Sequence, residues 1–459
     1  MERFPPLRQL IYANGNMGFS VMDNIYGVYL VFFLLPPKEL GMPELVSNKP
    51  LLFGLTIIGL VNIFGRVIDS LADPLIAWWS DNARFKLGRR KFFLLTGSIP
   101  FALSGILLFF PPVAAVSGWN ALYTAVMLGI YFFLYTYFMS PYLALIPELS
   151  RTPDDRIRIT VLQAVFSLLG AVAVMIFSPL IWEGLQKTGL GVKESFQLTM
   201  VILGAFALIS MLTSGFPVDE KRYSHSKPAN VKLIESVKMT LQNRWFIIYM
   251  IATIAYWFSF NMIRTVIAYY PVVLLKKDAG FQMILMAALF GTAFFCFLLL
   301  PLLSRRFSNK QLMLAGMASF AVLMAGTALV PLLGAAAVPF SVVQMALMGF
   351  PVAILLVIPN AAVSDLSELD GFKRGFNREA MFFGTQGLFM KVNYGIALAI
   401  TASLFAFFGK DVSQPLGVVL TGPVGALFVL AGFFVFLRYP QAEITRQLRE
   451  FRAAEKAAP

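Results

Sequence analysis

Apolar residues in this chain fall in long unbroken blocks, set apart by short polar intervals. Blocks of about 20 residues or more are what a helix needs to cross roughly 30 Å of hydrocarbon. Twelve blocks predict spanning helices, at about 11–35, 51–79, 93–111, 119–147, 159–182, 196–216, 245–275, 282–303, 311–333, 339–364, 380–408 and 417–437. Barrel strands would instead alternate over about ten residues, and solid blocks do not. The predicted fold class is therefore an all-α polytopic membrane protein with twelve transmembrane helices in two six-helix bundles. The longest polar interval, Pro217 to Arg244, sets the division. It predicts an N-terminal bundle over 1–216, a cytoplasmic linker over 217–244, a C-terminal bundle over 245–438 and a cytoplasmic tail over 439–459. In the tail, Ile444, Leu448 and Phe451 recur at helical spacing, which predicts an amphipathic surface helix packed on the protein or anchored to the membrane.

Composition agrees with the pattern. The chain has 459 residues, 58% hydrophobic and 13% charged, where a soluble domain carries about 25% charged residues. The net charge of +13 reads as topology rather than as a nucleic-acid footprint, because Lys and Arg collect in cytoplasmic loops. With the N-terminus inside, cytoplasmic segments hold 27 Lys and Arg and the opposite loops hold 7. Both termini are thus expected in the cytoplasm. One cysteine, Cys296, and one histidine, His225, exclude an intrachain disulfide and a His/Cys metal cluster. No metal or cofactor is expected. The first apolar stretch is too long for a signal peptide and lacks a small-residue cleavage site.

Three ionisable residues break the second block: Arg66, Asp69 and Asp73. Each costs several kcal/mol at that depth, about 2.5–3.5 on an insertion scale. The two acids are four apart, so they share a helix face, with Arg66 nearly on it. Lys391, in the eleventh block, lies about 18 Å from its cytoplasmic end and Asp69 about 15 Å from the same side. Lys391 is the expected counter-charge of the acid pair. Two acids and one lysine leave one negative charge, which an entering Na⁺ or H⁺ would neutralise. That is a physical basis for cation coupling, since the loaded site crosses a dry barrier more readily. Arg66 either satisfies Asp69 or belongs to the site. Arg264 either faces a cavity and holds an anionic or hydroxyl-bearing group, or snorkels to the outer interface. Tyr26, Tyr29, Tyr142, Trp257 and Gln386 are cavity candidates by position and type. The basic turn after the second block, with Asp81, Arg84, Arg89 and Arg90, has an echo after the eighth at Arg305, Arg306 and Lys310. These turns serve topology, or lock a cytoplasmic gate.

Asp69-x-x-x-Asp73-Pro74, followed by Ser80-Asp81-x-x-Arg84-x-x-x-Gly88-Arg89-Arg90, resembles the glycoside–pentoside–hexuronide:cation symporters of the major facilitator superfamily. Pro141-Tyr142-Leu143-Ala144-Leu145-Ile146-Pro147-Glu148-Leu149, Pro359-Asn360-Ala361, Asp365-Leu366 and Arg378-Glu379-Ala380-Met381-Phe382-Phe383-Gly384 add to the likeness. The resemblance implies the major facilitator fold and a cation site of Asp69, Asp73 and Thr136 bordered by Lys391. It also implies a melibiose permease-like sugar site, from which the chain departs. Ser20 and Met139 stand where that group has sugar-holding acids, Gln163 where it has an arginine, and Ala72 where it has a Na⁺-binding asparagine. Asp23, one turn beyond Ser20, can stand in for the first acid. The expected function is H⁺- or Na⁺-coupled symport of a sugar, glycoside or other small polar solute by alternating access. The alternative is cation-coupled transport of a lysophospholipid or similar amphiphile. Neither a metal cluster nor a nucleophile–base pair suggests an enzyme. The expected partners are a small-molecule substrate and membrane lipid, without nucleic acid, and the expected state is a monomer in a bacterial inner membrane.

Overall fold

The computed structural model describes residues 4–52, 54–150, 153–223, 240–374 and 379–457. Ten helices among these residues are long and apolar enough to cross a membrane. They fall on the expected spans one and four through twelve. The other two expected spans are also helical. Span two, Ile57–Asn82, carries Arg66, Asp69, Asp73 and Asp81, which lowers its apolar character. Span three, Lys91–Leu107, has 17 regular residues and is continued by turns at Leu108 and Phe109. The chain is an all-helical multi-pass membrane protein.

Three boundaries differ from the hydrophobic pattern for local reasons. The apolar run expected from 51 begins as a small antiparallel hairpin, Pro50–Leu52 against Leu55–Thr56. Gly54 makes its turn at φ +77°, a left-handed conformation that favours glycine. Thr56 then caps span two by accepting a hydrogen bond from the Gly59 N–H at 3.2 Å. Span seven, expected to 275, ends its regular helix at Val266 and continues as a π-helical turn, Tyr270–Leu274. Pro271 lacks an N–H to keep a regular ladder there. Span ten, expected to 364, runs from Ala337 to Arg374, so residues 365–374 are helical rather than loop. Hydropathy reports the bilayer, and a helix can continue past it into water.

The chain divides into two compact units. The first comprises Met1–Asn230, Thr265–Met283 and Leu398–Pro415; the second comprises Val231–Arg264, Ile284–Ala397 and Leu416–Pro459. In the first, span one (Pro6–Leu34) is the central element. It packs on spans five and six, where Gly18 and Gly170 allow contact: a Cβ at Gly18 would lie 2.4 Å from the Ala207 carbonyl, and one at Gly170 2.5 Å from the Met17 carbonyl. Span one contains a π-helical turn, Ile25–Tyr29, as does span five at Ala173–Phe177. Such turns often mark functional positions.

In the second unit, the tail helix Gln441–Ala457 packs on the end of span ten. Ile444 and Leu448 are buried, and the rings of Phe451 and Phe372 stack at 5.4 Å. Of the two readings of this amphipathic segment, packing on the protein is the one observed.

A polar clasp closes one end of the first unit. Lys410, with its side chain 3% exposed, sits 2.7 Å from Glu44 Oε1 and donates to the Pro36 carbonyl at 2.7 Å. Asp411 accepts from the Lys38 N–H at 3.0 Å, and Glu39 accepts from the Val412 N–H at 2.7 Å. Removing Lys410 takes a donor from the Pro36 carbonyl and one of two cations from Asp411, while Glu44 is about one-third exposed and can turn to water. Lys410→Met is expected to destabilise the protein by about 1.5 kcal/mol. Lys38→Met, at an exposed side chain, is expected to cost about 0.5 kcal/mol or less. Thermal midpoints of the two purified variants check the contrast.

Candidate functional site

The three ionisable residues of span two meet span four in the first unit. Gly65 allows the approach, since a Cβ there would lie 2.8 Å from Cδ2 of Phe132. One turn on, Thr136 faces the acids. Its Oγ1 lies 2.8 Å from Asp69 Oδ1 and 3.2 Å from Asp73 Oδ1. Asp69 is fully buried and Arg66 nearly so. The Arg66 guanidinium donates from Nη1 to Asp69 Oδ2 at 3.2 Å. Its Cζ stands 4.3 Å from the centre of the Phe132 ring and 5.4 Å from that of Tyr26. Both rings present a negative face to a cation. The arginine is thus held from two sides, and Asp69 has a fixed counter-charge on its own helix.

Span one supplies the floor. Its π-helical turn carries Tyr26, whose hydroxyl donates to Asn62 Oδ1 at 2.8 Å. Asn62 in turn donates to the Ile58 carbonyl. The two aromatic rings under Arg66 meet edge-on, at 5.1 Å between centroids. Tyr135, beside Thr136, is half-buried and lies within electrostatic range of Asp23, Asp69, Arg66 and Asp73. When both acids are ionised, the three span-two groups sum to a charge of −1. A hydroxyl has one hydrogen to give and can also accept, so Thr136 alone does not satisfy two carboxylates as a donor.

The remaining candidates are placed as follows. Asp23 is half-buried and joins this group through Tyr135. Tyr142 is buried and bonds backbone, donating to the Tyr12 carbonyl at 2.9 Å; it ties span four to span one. Tyr29 reaches Ser178 and Gln282. Gln163 is buried, and its backbone carbonyl accepts from Asn16 Nδ2 at 2.8 Å. In the second unit, Trp257 meets Phe260 edge-on. Arg264 lies over the Tyr394 ring with its Cζ at 5.2 Å. Gln386 is buried and Lys391 half-buried, both on span eleven, Glu379–Phe408. At the other end of the first unit, Arg89 Nη2 lies 2.6 Å and Arg90 Nη2 3.1 Å from Glu148 Oε1. Arg84 is exposed, and the Asp81 side chain lies outside the described residues. Glu220 caps span three, accepting from the N–H groups of Arg89, Arg90 and Lys91 at 3.0, 2.7 and 2.7 Å. A carboxylate is well placed at that helix N-terminus.

Sequence reasoning missed Asn62, Phe132, Tyr135 and Glu220. Phe132, Tyr135 and Thr136 follow i, i+3, i+4 spacing, so the position of Thr136 could have brought in the two aromatics. Glu220 lies far from span three in sequence and carried no such signal.

Removing the Thr136 hydroxyl while keeping its shape tests the bridge. Thr136→Val is expected to leave expression unchanged and to weaken the apparent affinity for the coupling ion by about tenfold, the worth of one such bond. The ion concentration giving half-maximal uptake reports it.

The family described as MFS/sugar transport protein matches residues 11–443, nearly the whole chain. The protein belongs to that family of the major facilitator superfamily, and is a transporter rather than an enzyme. An uncharacterized symporter of Synechocystis is 22% identical, over 94% of this chain and 93% of its own. A protein of Escherichia coli K12 named as a glycoside/cation symporter is 26% identical over 42% of this chain and 41% of its own. Among solved structures, a bacterial homolog to the human lysosomal transporter Spinster, inward-facing and unoccupied, aligns with a TM-score of 0.65. It is 12% identical and each chain is covered to 98%, which supports the fold alone. The family is one of cation-coupled symport, and a transporter implies a small-molecule substrate.

Proposed function

We propose that this protein is a proton-coupled symporter of a glycoside or other small polar solute, working by alternating access. Asp73 is the carboxyl that loads and unloads the proton. The carrying observation is the Thr136 hydroxyl set between the two acids, at 2.8 Å from Asp69 and 3.2 Å from Asp73. With Thr136 donating to Asp69, a proton on Asp73 can be donated to Oγ1, and both contacts of the hydroxyl then have good donor–acceptor sense. A sodium ion would have to share Asp69 with a guanidinium and do without the amide that Ala72 lacks. Loading by a proton neutralises the surplus charge and lowers the cost of carrying the site through a dry barrier. Lys391 is proposed, on the strength of its depth in span eleven, as the counter-charge that Asp73 meets once the proton has left.

The glycoside reading draws support from the family description and from the relative named for glycoside/cation symport. Asp23, Tyr26, Tyr142, Gln163, Trp257, Arg264 and Gln386 are proposed for the substrate, and Asp81, Arg84, Arg89 and Arg90 for the cytoplasmic gate. The two sequence halves are proposed as the bodies that alternate. The 27 to 7 distribution of Lys and Arg supports cytoplasmic termini in a bacterial inner membrane, with a monomer as the working unit. Uptake of a panel of labelled glycosides, pentosides and lysophospholipids into liposomes holding the purified protein tests the substrate class. Accumulation of a sugar is expected; accumulation of lysophospholipid alone would contradict the reading.

A further inference from the structure

Outside the membrane-buried site, the second unit holds a cavity of about 740 Å³. It lies where span nine begins, span twelve ends and the tail helix passes, on the side that the charge distribution assigns to the cytoplasm. Ser308, Lys310, Gln311, Arg446, Arg449 and Glu450 are among its lining residues. Three of these are cations and one is an acid. Arg446 is already matched by Glu443 at 2.7 Å. Lys310 spends one of its three ammonium donors on the Leu437 carbonyl, at 2.6 Å. Arg449 is exposed. Ser308 and Gln311 form the capping box of the 18-residue helix Asn309–Gly326, so the positive end of that helix is at the rim.

The apolar residues next to this cavity indicate what brings an anion there. The bond from Lys310 places Leu437 beside it, and Leu437 is 45% exposed. Phe434, one turn earlier on the same face, is 63% exposed. Cations beside the end of span twelve, one of them bonded to the backbone of an exposed apolar residue, fit a ligand with a charged head and an acyl chain. Basic pockets at that level suit anionic headgroups.

We propose that this cavity binds an anionic phospholipid, with Lys310 and Arg449 on the headgroup phosphate and Phe434 and Leu437 alongside an acyl chain. The site is separate from the proposed substrate path and does not depend on the substrate.

Native mass spectrometry of the full-length protein tests it, with phosphatidylglycerol and phosphatidylcholine supplied in equal amounts. The wild type is expected to retain phosphatidylglycerol in preference. Lys310→Gln/Arg449→Gln is expected to lower that retention roughly 30-fold and to leave phosphatidylcholine adducts unchanged. Arg449→Gln alone, at an exposed position, is expected to lower it about fivefold. The pair Lys276→Gln/Lys277→Gln removes the same charge from the first unit and is expected to have no effect. Retention that survives in the Lys310/Arg449 variant, or falls equally in the Lys276/Lys277 pair, overturns the proposal. So does displacement of the lipid by millimolar inorganic phosphate, which would make the site one for free phosphate.

Discussion

Asp73→Asn is expected to abolish concentrative uptake while leaving exchange of substrate across the membrane in place. The amide keeps the size and one acceptor of the carboxyl but cannot take up and release a proton. It mimics the loaded, neutral state permanently. A carrier locked in that state can still reorient with substrate bound, so exchange at equal concentrations on both sides is expected within about fivefold of wild type. Accumulation against a gradient is expected to fall by about a hundredfold, equivalent to losing about 2.7 kcal/mol of coupling. Paired exchange and uptake assays separate this from general damage, because damage lowers both. Equal loss of both would assign Asp73 a structural role.

Arg66 is expected to give the largest stability effect in the chain. Its guanidinium and the Asp69 carboxylate are both buried, so Arg66→Met takes the paired cation away from a buried carboxylate. A loss of about 3–5 kcal/mol is expected, enough to suppress expression. The double variant Arg66→Met/Asp69→Asn removes both charges together. It is expected to recover most of the loss, with a coupling of about 2–3 kcal/mol between the two sites. Thermal unfolding of the purified variants measures the cycle. If the double variant is as unstable as the single one, Arg66 acts through its packing on Tyr26 and Phe132 and not through charge.

Much of this architecture was legible in the sequence, because a bilayer imposes a simple rule on length and polarity. Spans were found by their apolar blocks, and the acid pair by its cost inside one of them. What escaped has a common cause. The hairpin before Ile57, the π-helical turn at Ile25–Tyr29 and the extension of span ten to Arg374 are backbone choices that hydropathy does not encode. At the site, helical spacing put Asp69 and Asp73 on one face and the resemblance contributed Thr136. It did not reveal that Arg66 would already neutralise Asp69. That depends on rings from two other helices holding the guanidinium in place. Arg66 had been open between a bonding role and a part in the site, and the geometry shows the bond: its guanidinium lies 3.2 Å from Asp69 Oδ2.

The most direct test of the coupling is accumulation of a transported glycoside by liposomes containing the purified protein, under either a proton gradient or a sodium gradient. Accumulation is expected with an inward proton gradient, in sodium-free buffer, and is expected to collapse when a protonophore is added. Accumulation driven by sodium at equal pH on both sides, and indifferent to the protonophore, would contradict the account.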